Sequence, residues 1–330
     1  MNRDDLIAIF LARNGYAPSD AEPFAQDASL RRYLRIRGDR PAILMDAPAP
    51  EDVRPFLRIA AHLAAFGLSV PRIIAADETA GLVLEEDLGD ALFSTILDQG
   101  ADASDPFDAA IDALVVMHRA APPADLPAWG KTEMRDTALG TLFDWWWPAT
   151  HGALAPTEAR VDVADALDTM LRHVSNGPRG LVHRDFFAGN LLWLPDRAGP
   201  RRAGIIDFQS AAIGHPAYDL VSLLQDARRD IPAALEERAV ARYLAARPDL
   251  DSGLFHAAYA ACAAQRHLRV ACQWVRLAKR DGRPDYLVHG PRTWRLLTRA
   301  LKHPAAVPLS VALGRWVPEE QRRNPPGLTA

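Results

Sequence analysis

The chain has 330 residues, of which 49% are hydrophobic, so it can bury a large core and has room for two lobes. Its net charge of -4 and isoelectric point near 6.2 give no reason to expect nucleic acid or a membrane surface as a partner. The acidic start, residues 1–6, does not resemble a secretory signal, and no stretch approaches the roughly 18 apolar residues that span a bilayer. We therefore expect a cytoplasmic protein, and we expect it to be a monomer.

The first 90 residues alternate short helical and extended patterns. Residues 4–14 predict an amphipathic helix that ends near Gly15, and residues 51–66 predict a second helix that ends at Gly67. Four apolar or alternating stretches predict strands, at 32–37, 42–45, 71–76 and 81–85. This part of the chain therefore predicts a small sheet with flanking helices.

Beyond this part, the pattern becomes helical and rich in alanine. Residues 107–119 predict a helix in which His118 is a hydrogen-bonded core histidine rather than a metal ligand. Three consecutive tryptophans, 145–147, cannot all lie on one side of a helix. We expect core packing for two of them and choose Trp145 as the exposed ring that stacks on a ligand such as a sugar. The proline-rich end, 318–330, is expected to fray.

The two cysteines, Cys262 and Cys272, lie ten residues apart on one helical pattern. Ten helical residues rise about 15 Å, whereas a disulfide joins Cα atoms roughly 4.4–6.8 Å apart. We therefore predict two reduced, buried thiols rather than a disulfide or a metal site.

Three polar side chains of the types that handle protons or bind metal ions fall within residues 181–208. Asp185 and Asn190 are separated by four residues, and Asp207 follows a predicted strand, turn and strand at 191–206. Such a hairpin returns the chain, so Asp207 should face Asn190. Phosphoryl transfer needs a carboxylate that accepts the proton of the attacking hydroxyl, and oxygen ligands for Mg²⁺. We therefore predict Asp185 as the catalytic base and Asn190 and Asp207 as Mg²⁺ ligands, in preference to capping and turn roles.

Three motifs carry a family resemblance: HRDFFAGN at 183–190, IIDFQ at 205–209 and GHPAYDL at 214–220. They resemble the aminoglycoside phosphotransferase and choline kinase group of small-molecule kinases, although Gln209 stands where many members carry Glu. The resemblance implies an α+β, two-lobed, protein-kinase-like fold with a small antiparallel-sheet N-terminal lobe and a larger, mainly helical C-terminal lobe. It also implies that Asp219 is a buried carboxylate that holds the catalytic loop. The residues themselves favour His183 as a buried imidazole that braces this loop.

Four further blocks carry a narrower resemblance: DASLRRYLR at 27–35, MDAP at 45–48, EDLGD at 86–90 and QRHL at 265–268. They are similar to bacterial anomeric sugar kinases of cell-wall recycling. This resemblance implies that ATP phosphorylates the anomeric (C1) hydroxyl of N-acetylmuramate or N-acetylglucosamine. Two alternatives remain: a kinase of an aminoglycoside, choline or homoserine acceptor, and a nucleotide-binding pseudokinase.

Kinases of this kind usually hold the ATP phosphates with a lysine on the third strand. The first lysine of this chain is Lys131, so another group must hold the phosphates. Arg31, Arg32 and Arg35 are the nearest cations, and a guanidinium can bind phosphate with two hydrogen bonds. We expect at least one of them to contact ATP, the alternative being that they form a solvated strand face.

The remaining nucleotide contacts are predicted from position alone. Ser29 lies in the loop expected to cover the nucleotide. Glu86 and Leu88 lie in an acidic run that is either a hinge whose backbone pairs with adenine or a solvated loop. With the hinge here, residues 1–87 are predicted to form the nucleotide-binding lobe and residues 88–330 the catalytic and acceptor-binding lobe.

The distribution of charge bears on the acceptor. Residues 255–302 hold ten basic and two acidic residues, whereas a site for a polycationic aminoglycoside should be lined with carboxylates. The segment better suits a small neutral or anionic sugar. Arg266 and Arg269, spaced i, i+3 on a helix, are the predicted contacts, unless the basic residues form a solvated helical face.

Overall fold

The structure is a computed structural model that describes residues 2–24 and 31–328. The α-helices found in these residues are α1 Arg3–Arg13, α2 Arg54–Ala65, α3 Phe93–Asp98, α4 Ser104–Arg119, α5 Lys131–Thr141, α6 Trp147–His151, α7 Thr157–Met170, α8 Arg172–Ser175, α9 Ala217–Leu224, α10 Ala233–Ala246, α11 Ser252–Arg280, α12 Gly290–Ala300 and α13 Val307–Trp316. The strands are β1 Ala21–Phe24, β2 Arg32–Ile36, β3 Ala42–Asp46, β4 Ile73–Asp77, β5 Leu82–Glu86, β6 Ala128–Trp129, β7 Gly180–Val182, β8 Leu191–Trp193, β9 Ala203–Ile205 and β10 Ala212–Gly214. None of the described helices has the length and apolar composition required to cross a membrane.

One compact unit comprises Met1–Val116 and Ala188–Ser210. Its five-stranded antiparallel sheet has the order β1-β2-β3-β5-β4. Side chains alternate along each strand, so one face of the sheet buries Leu44 and Leu84 against Phe10 and Leu11 of α1. The opposite face therefore receives the side chains at the intervening positions.

The same unit contains a β-hairpin in which β8 pairs with β9. The register places Leu191 opposite Ile205, so the residues that flank the two strands lie at one end of the hairpin. Gly204 packs closely, because a Cβ atom there would meet the Leu192 Cβ at 3.2 Å. The hairpin predicted for residues 191–206 is therefore confirmed.

The second compact unit comprises Met117–Phe187 and Ala211–Ala330. It is mainly helical and contains a three-stranded sheet of order β6-β10-β7. Helix α11 has 29 residues and is buried along most of its length, where Ala258, Ala261 and Ala264 allow other helices to approach closely.

The helices and strands of the first 90 residues agree with the prediction to within a few residues, although β1 was not predicted.

Two predictions outside the site have different outcomes. Cys262 and Cys272 are buried and free, as expected. The expected fraying of 318–330 is wrong for its described part, residues 318–328, because this segment is hydrogen-bonded to the helices. The buried Trp146 indole donates to the Arg323 carbonyl at 2.9 Å, which satisfies a polar N–H that burial would otherwise leave unpaired.

Candidate active site

Asn190 and Asp207 lie at one end of the β8–β9 hairpin. Asn190 directly precedes β8 and Asp207 follows β9, and the Asn190 Nδ2 donates to Asp207 Oδ2 at 3.2 Å. Asp207 therefore faces Asn190, as the predicted hairpin requires. Asp207 is exposed and has a left-handed backbone with φ of 62°, a conformation that is uncommon for a residue with a side chain.

Gln209 adds a contact that sequence reasoning did not foresee. Its Nε2 donates to Asp207 Oδ1 at 2.5 Å, so both carboxylate oxygens of Asp207 accept from an amide. A glutamate at 209 could not donate in this way when ionised. The Asn190 amide oxygen and the Asp207 carboxylate are hard oxygen donors, and such donors fit Mg²⁺, which commonly takes few protein ligands.

The loop that carries Asp185 belongs to the helical unit. Asp219, fully buried on α9, accepts the His183 N–H at 2.7 Å and the Arg184 N–H at 2.9 Å. These bonds fix a backbone in which Arg184 has φ of 75°. His183 is also fully buried, and its Nδ1 accepts the Asp185 N–H at 3.3 Å. The bracing roles of His183 and Asp219 remain predictions that these bonds support.

A chain of hydrogen bonds continues from Asp219 into the helical unit. The Arg247 Nη1 donates to the Tyr243 hydroxyl at 3.1 Å, the hydroxyl lies 2.9 Å from His118 Nδ1, and His118 Nε2 lies 3.3 Å from Asp219 Oδ2. An ionised Asp219 only accepts, so a neutral His118 carries its proton on Nε2, and its Nδ1 accepts from the Tyr243 hydroxyl, which itself accepts from Arg247. Burial lowers the pKa of His118 although Asp219 opposes the shift, which is consistent with a neutral core histidine.

Arg266 and Arg269 of helix α11 lie within electrostatic range of Asp185. Arg266 is only 3% exposed, and its Nε donates to the Ser222 hydroxyl at 2.8 Å. Burial lowers the pKa of Arg266, and Asp185 acts in the opposite direction. Burial also acts to lower the pKa of Arg269, but Tyr218 and Asp185 raise it overall. The pair chosen from the sequence therefore has Asp185 as an electrostatic neighbour.

Trp129 lies beside the loop that carries Asp185, a contact that sequence reasoning missed. The Arg184 guanidinium carbon lies 4.0 Å from the centre of this ring. Trp145 is half-buried on a π-helical segment, Leu142–Trp146, whereas Trp146 and Trp147 are buried. The role of Trp145 as an acceptor contact stays a prediction. In the sequence, Trp129 is an isolated tryptophan two residues before a helix. Such a position is a weak signal of a functional role.

Two of the three candidate phosphate-binding arginines are held by carboxylates of the sheet unit. Arg32 shares the buried Asp46 with Arg3, with N–O distances of 2.6 Å and 2.5 Å. Arg35 forms ion pairs with Asp87, at 2.7 Å, and with Asp90. Both guanidinium groups therefore have structural partners.

The third candidate, Arg31, lies on the sheet face opposite α1. Its Nε donates to Glu51 at 2.9 Å, and its Nη1 lies 3.9 Å from the Met45 sulfur on β3. The pKa of the neighbouring Tyr33 is raised to about 12, chiefly by burial, with the charges of Glu85 and Asp207 acting in the same direction and Arg31 opposing them. Burial raises the pKa of Glu85 to about 8, while Arg31 opposes this shift. The Arg31 charge and Asp207 therefore share an electrostatic neighbourhood in this unit.

The predicted adenine contacts need one correction. The Glu86 N–H donates to the Arg72 carbonyl at 2.9 Å, so this N–H is not available to a base. The Glu86 carboxylate forms an ion pair with Arg197 at 2.8 Å. Pairing of adenine with the Glu86 carbonyl or with Leu88 stays a prediction, and Ser29 lies outside the described residues.

The excess of basic residues in 255–302 is partly balanced by carboxylates from outside that segment. Arg292 binds Asp230 through two hydrogen bonds of 2.9 Å, and Arg299 pairs with Glu236 at 2.9 Å. Both arginines are partly exposed, as the alternative of a solvated helical face requires, but they are paired with carboxylates. That alternative does not describe the buried Arg266.

A small antiparallel sheet, a mainly helical unit and an Asn–Asp pair at the end of a hairpin are typical of small-molecule phosphotransferases. A sequence model described as the phosphotransferase enzyme family matches residues 20–256. The chain belongs to this family. The prediction of a phosphotransferase enzyme is therefore confirmed.

The relatives agree with this assignment. The chain is similar to the N-acetylmuramate/N-acetylglucosamine kinase of Caulobacter vibrioides, with 36% identity over 97% of this chain and 98% of that protein. It is also similar to the protein of the same name from Pseudomonas aeruginosa, with 34% identity over 86% of this chain and 84% of that protein. Among solved structures, a choline/ethanolamine kinase family protein from Mesorhizobium loti has a TM-score of 0.64 and 16% identity, covering 94% of this chain and 99% of that chain. This likeness concerns the fold, and it confirms the predicted protein-kinase-like α+β class.

Proposed function

We propose that this protein is an ATP-dependent kinase that phosphorylates the anomeric hydroxyl of N-acetylmuramate and N-acetylglucosamine during peptidoglycan recycling. The observation that carries the proposal is the contact of 3.2 Å between Asn190 and Asp207, preceded by Asp185 at the spacing of a phosphoryl-transfer loop. The names of the two relatives support the choice of acceptor. The use of ATP supports a cytoplasmic location, and we propose that the protein acts as a monomer.

In the proposed reaction, the C1 hydroxyl oxygen of the sugar attacks the γ-phosphorus of ATP. Asp185 accepts the hydroxyl proton as the new O–P bond forms, and the bond between the γ-phosphorus and the bridging oxygen breaks to release ADP with its electron pair. Asn190 and Asp207 would hold Mg²⁺, which supplies charge neutralisation on the phosphate oxygens when bound. Asp219 keeps Asp185 in position through its bonds to the loop backbone.

The proposal assigns the nucleotide and acceptor contacts to different parts of the chain. Residues 1–87 supply nucleotide contacts, and residues 88–330 supply the catalytic and acceptor contacts. For the acceptor, we propose Arg266, Arg269 and Trp145.

Arg31 is our choice for the cation that replaces the missing lysine. By strand alternation Arg31 and Arg35 both lie on the sheet face opposite α1, but Arg35 is paired with Asp87 and Asp90. Arg31 has Tyr33 and Glu85 as electrostatic neighbours, and Tyr33 also responds to Asp207. Glu51 orients the guanidinium with one ion pair at 2.9 Å. A hydrogen bond between charged groups contributes roughly 1.5–3 kcal/mol.

Arg31→Gln should therefore lower kcat/KM for ATP by about 10-fold to 100-fold, since 1.4 kcal/mol corresponds to a factor of ten. Steady-state kinetics with varied ATP measures the effect. Arg37→Gln is the matched control, because Arg37 is an exposed arginine just past the same strand and pairs with the exposed Glu22. Equal values of kcat/KM for wild type and Arg31→Gln would show that Arg31 does not contact the ATP phosphates.

The proposed function is tested by ADP release over a panel of acceptors that includes N-acetylmuramate, N-acetylglucosamine, choline, homoserine and an aminoglycoside. Turnover of the two amino sugars is expected, and phosphorus-31 NMR of the product should show a phosphate on C1. Turnover of only choline, homoserine or the aminoglycoside would contradict the assignment of an amino sugar as the acceptor and identify that compound as the acceptor instead. Nucleotide binding without turnover of any acceptor would favour the pseudokinase alternative.

A further inference from the structure

Arg228, which follows helix α9 in the helical unit, is surrounded by aromatic rings. Its guanidinium carbon lies 4.3 Å from the ring centre of Phe187, 5.4 Å from that of Trp274 and 5.9 Å from that of Tyr286. Trp274 and Tyr286 stack on each other with centres 5.4 Å apart and an interplanar angle of 12°. The side chain is half-buried, and within the described part of the chain it makes no hydrogen bond or ion pair.

The ring contacts determine which part of the Arg228 guanidinium can still bind a ligand. A cation interacts with an aromatic ring through the ring face, whereas the N–H donors of a guanidinium lie in its own plane and point outward from its edges. A group held by rings therefore retains its donors for a planar partner. A carboxylate fits this edge with two parallel hydrogen bonds, and the fixed side chain loses little conformational entropy on binding.

The backbone of Arg228 is also held in place. Its N–H donates to Asp226 Oδ1 at 2.9 Å, and its carbonyl accepts from Arg292 Nη1 at 2.9 Å. Burial raises the pKa of the Asp226 carboxyl, although Arg228 and Arg266 oppose the shift. Partial protonation of Asp226 would leave more of the Arg228 charge uncompensated.

Arg228 is tied to the catalytic loop through Phe187. Phe187 lies two residues after Asp185, and its N–H donates to the Asp185 carbonyl at 3.2 Å. Arg266 and Arg269, which have Asp185 as an electrostatic neighbour, each donate to a protein hydroxyl, that of Ser222 at 2.8 Å and that of Tyr218 at 3.2 Å. Arg228 thus offers unengaged guanidinium edges beside the loop that carries the proposed base.

We propose that Arg228 binds the carboxylate of an acidic sugar acceptor and thereby favours N-acetylmuramate over N-acetylglucosamine. The inference rests on the proposed function and deepens it. The two sugars differ by the lactyl ether that carries the carboxylate, so one substrate reports on the charge contact and the other serves as its internal control.

The experiment compares Arg228→Gln with wild type, using kcat/KM for both sugars in the same ADP-release assay. We expect the value for N-acetylmuramate to fall by about 10-fold to 100-fold and the value for N-acetylglucosamine to change by less than about threefold. Arg228→Lys should recover part of the loss, because it restores the charge without the two-pronged geometry. Arg229→Gln, which removes the same charge at the next residue, should leave the ratio of the two values unchanged.

An equal loss for both sugars would overturn the inference, because it would indicate a role in folding or positioning that does not read the carboxylate. An unchanged ratio would overturn it as well. Failure of the wild-type protein to phosphorylate either sugar would overturn the proposed function instead. Calorimetric titration with N-acetylmuramate then decides the inference separately, since equal affinity for wild type and Arg228→Gln would overturn it and selective weakening would support it.

Discussion

Asp185→Asn is expected to lower kcat by about 10²-fold to 10⁴-fold while the dissociation constant for ATP changes little. Asparagine has nearly the same shape as aspartate but cannot accept the proton of the attacking hydroxyl. The backbone bonds of the loop, from His183 and Arg184 to Asp219, do not involve the substituted side chain. Single-turnover kinetics measures the chemical step, and equilibrium binding of a fluorescent ATP analogue measures affinity.

Asp196→Asn provides the matched control for Asp185→Asn. Asp196 is exposed in the turn of the β8–β9 hairpin, so its substitution makes the same chemical change away from the loop. We expect its kinetics to equal those of wild type. Loss of ATP binding by Asp185→Asn, or a kcat within a factor of ten of wild type, would contradict the role of Asp185 as base.

Asp219→Asn is expected to lower the free energy of unfolding of the helical unit by about 2–4 kcal/mol. The buried carboxylate accepts two backbone N–H groups, one on each oxygen, and hydrogen bonds to a charged group are worth roughly 1.5–3 kcal/mol each. Asparagine can keep one of these bonds but places an NH₂ group opposite the other donor. Because Arg184 holds a left-handed backbone at φ of 75°, the loop should relax, and kcat should fall with stability.

Thermal melting and urea denaturation followed by tryptophan fluorescence measure this loss. Asp249→Asn is the comparison, because Asp249 is an exposed carboxylate that pairs with Arg247 at the far end of the same hydrogen-bond chain. That variant should lose at most about 1 kcal/mol, the range of exposed ion pairs. A melting temperature for Asp219→Asn equal to that of wild type would show that Asp219 does not brace the loop.

The parts of the molecule that the sequence predicted well depend on local chemistry. The hairpin of β8 and β9 follows from two short apolar runs around a turn rich in proline and glycine, so the approach of Asn190 to Asp207 could be foreseen. The spacing from Asp185 to Asn190 is itself a local property. The buried cysteines follow from helical geometry alone.

The parts that sequence reasoning missed depend on contacts between residues distant in the chain. Nothing near Tyr243 or Arg247 indicates that they complete a hydrogen-bond chain to Asp219, more than 20 positions away. Trp129 is still more distant in sequence from its partner Arg184. The choice among Arg31, Arg32 and Arg35 also required the structure. The position of α1 sets Arg32 apart by strand alternation, and the ion pairs with Asp87 and Asp90 set Arg35 apart.

The absence of lysine before Lys131 has a practical consequence for detecting this enzyme. Acyl-phosphate derivatives of nucleotides label many kinases by acylating a lysine amine next to the bound phosphates. Residues 1–130 offer no such amine, and a guanidinium stays protonated at neutral pH and is a poor nucleophile. If residues 1–87 bind ATP as proposed, profiling with lysine-directed probes would overlook them, whereas dicarbonyl reagents that modify arginine would label them and be blocked by ATP.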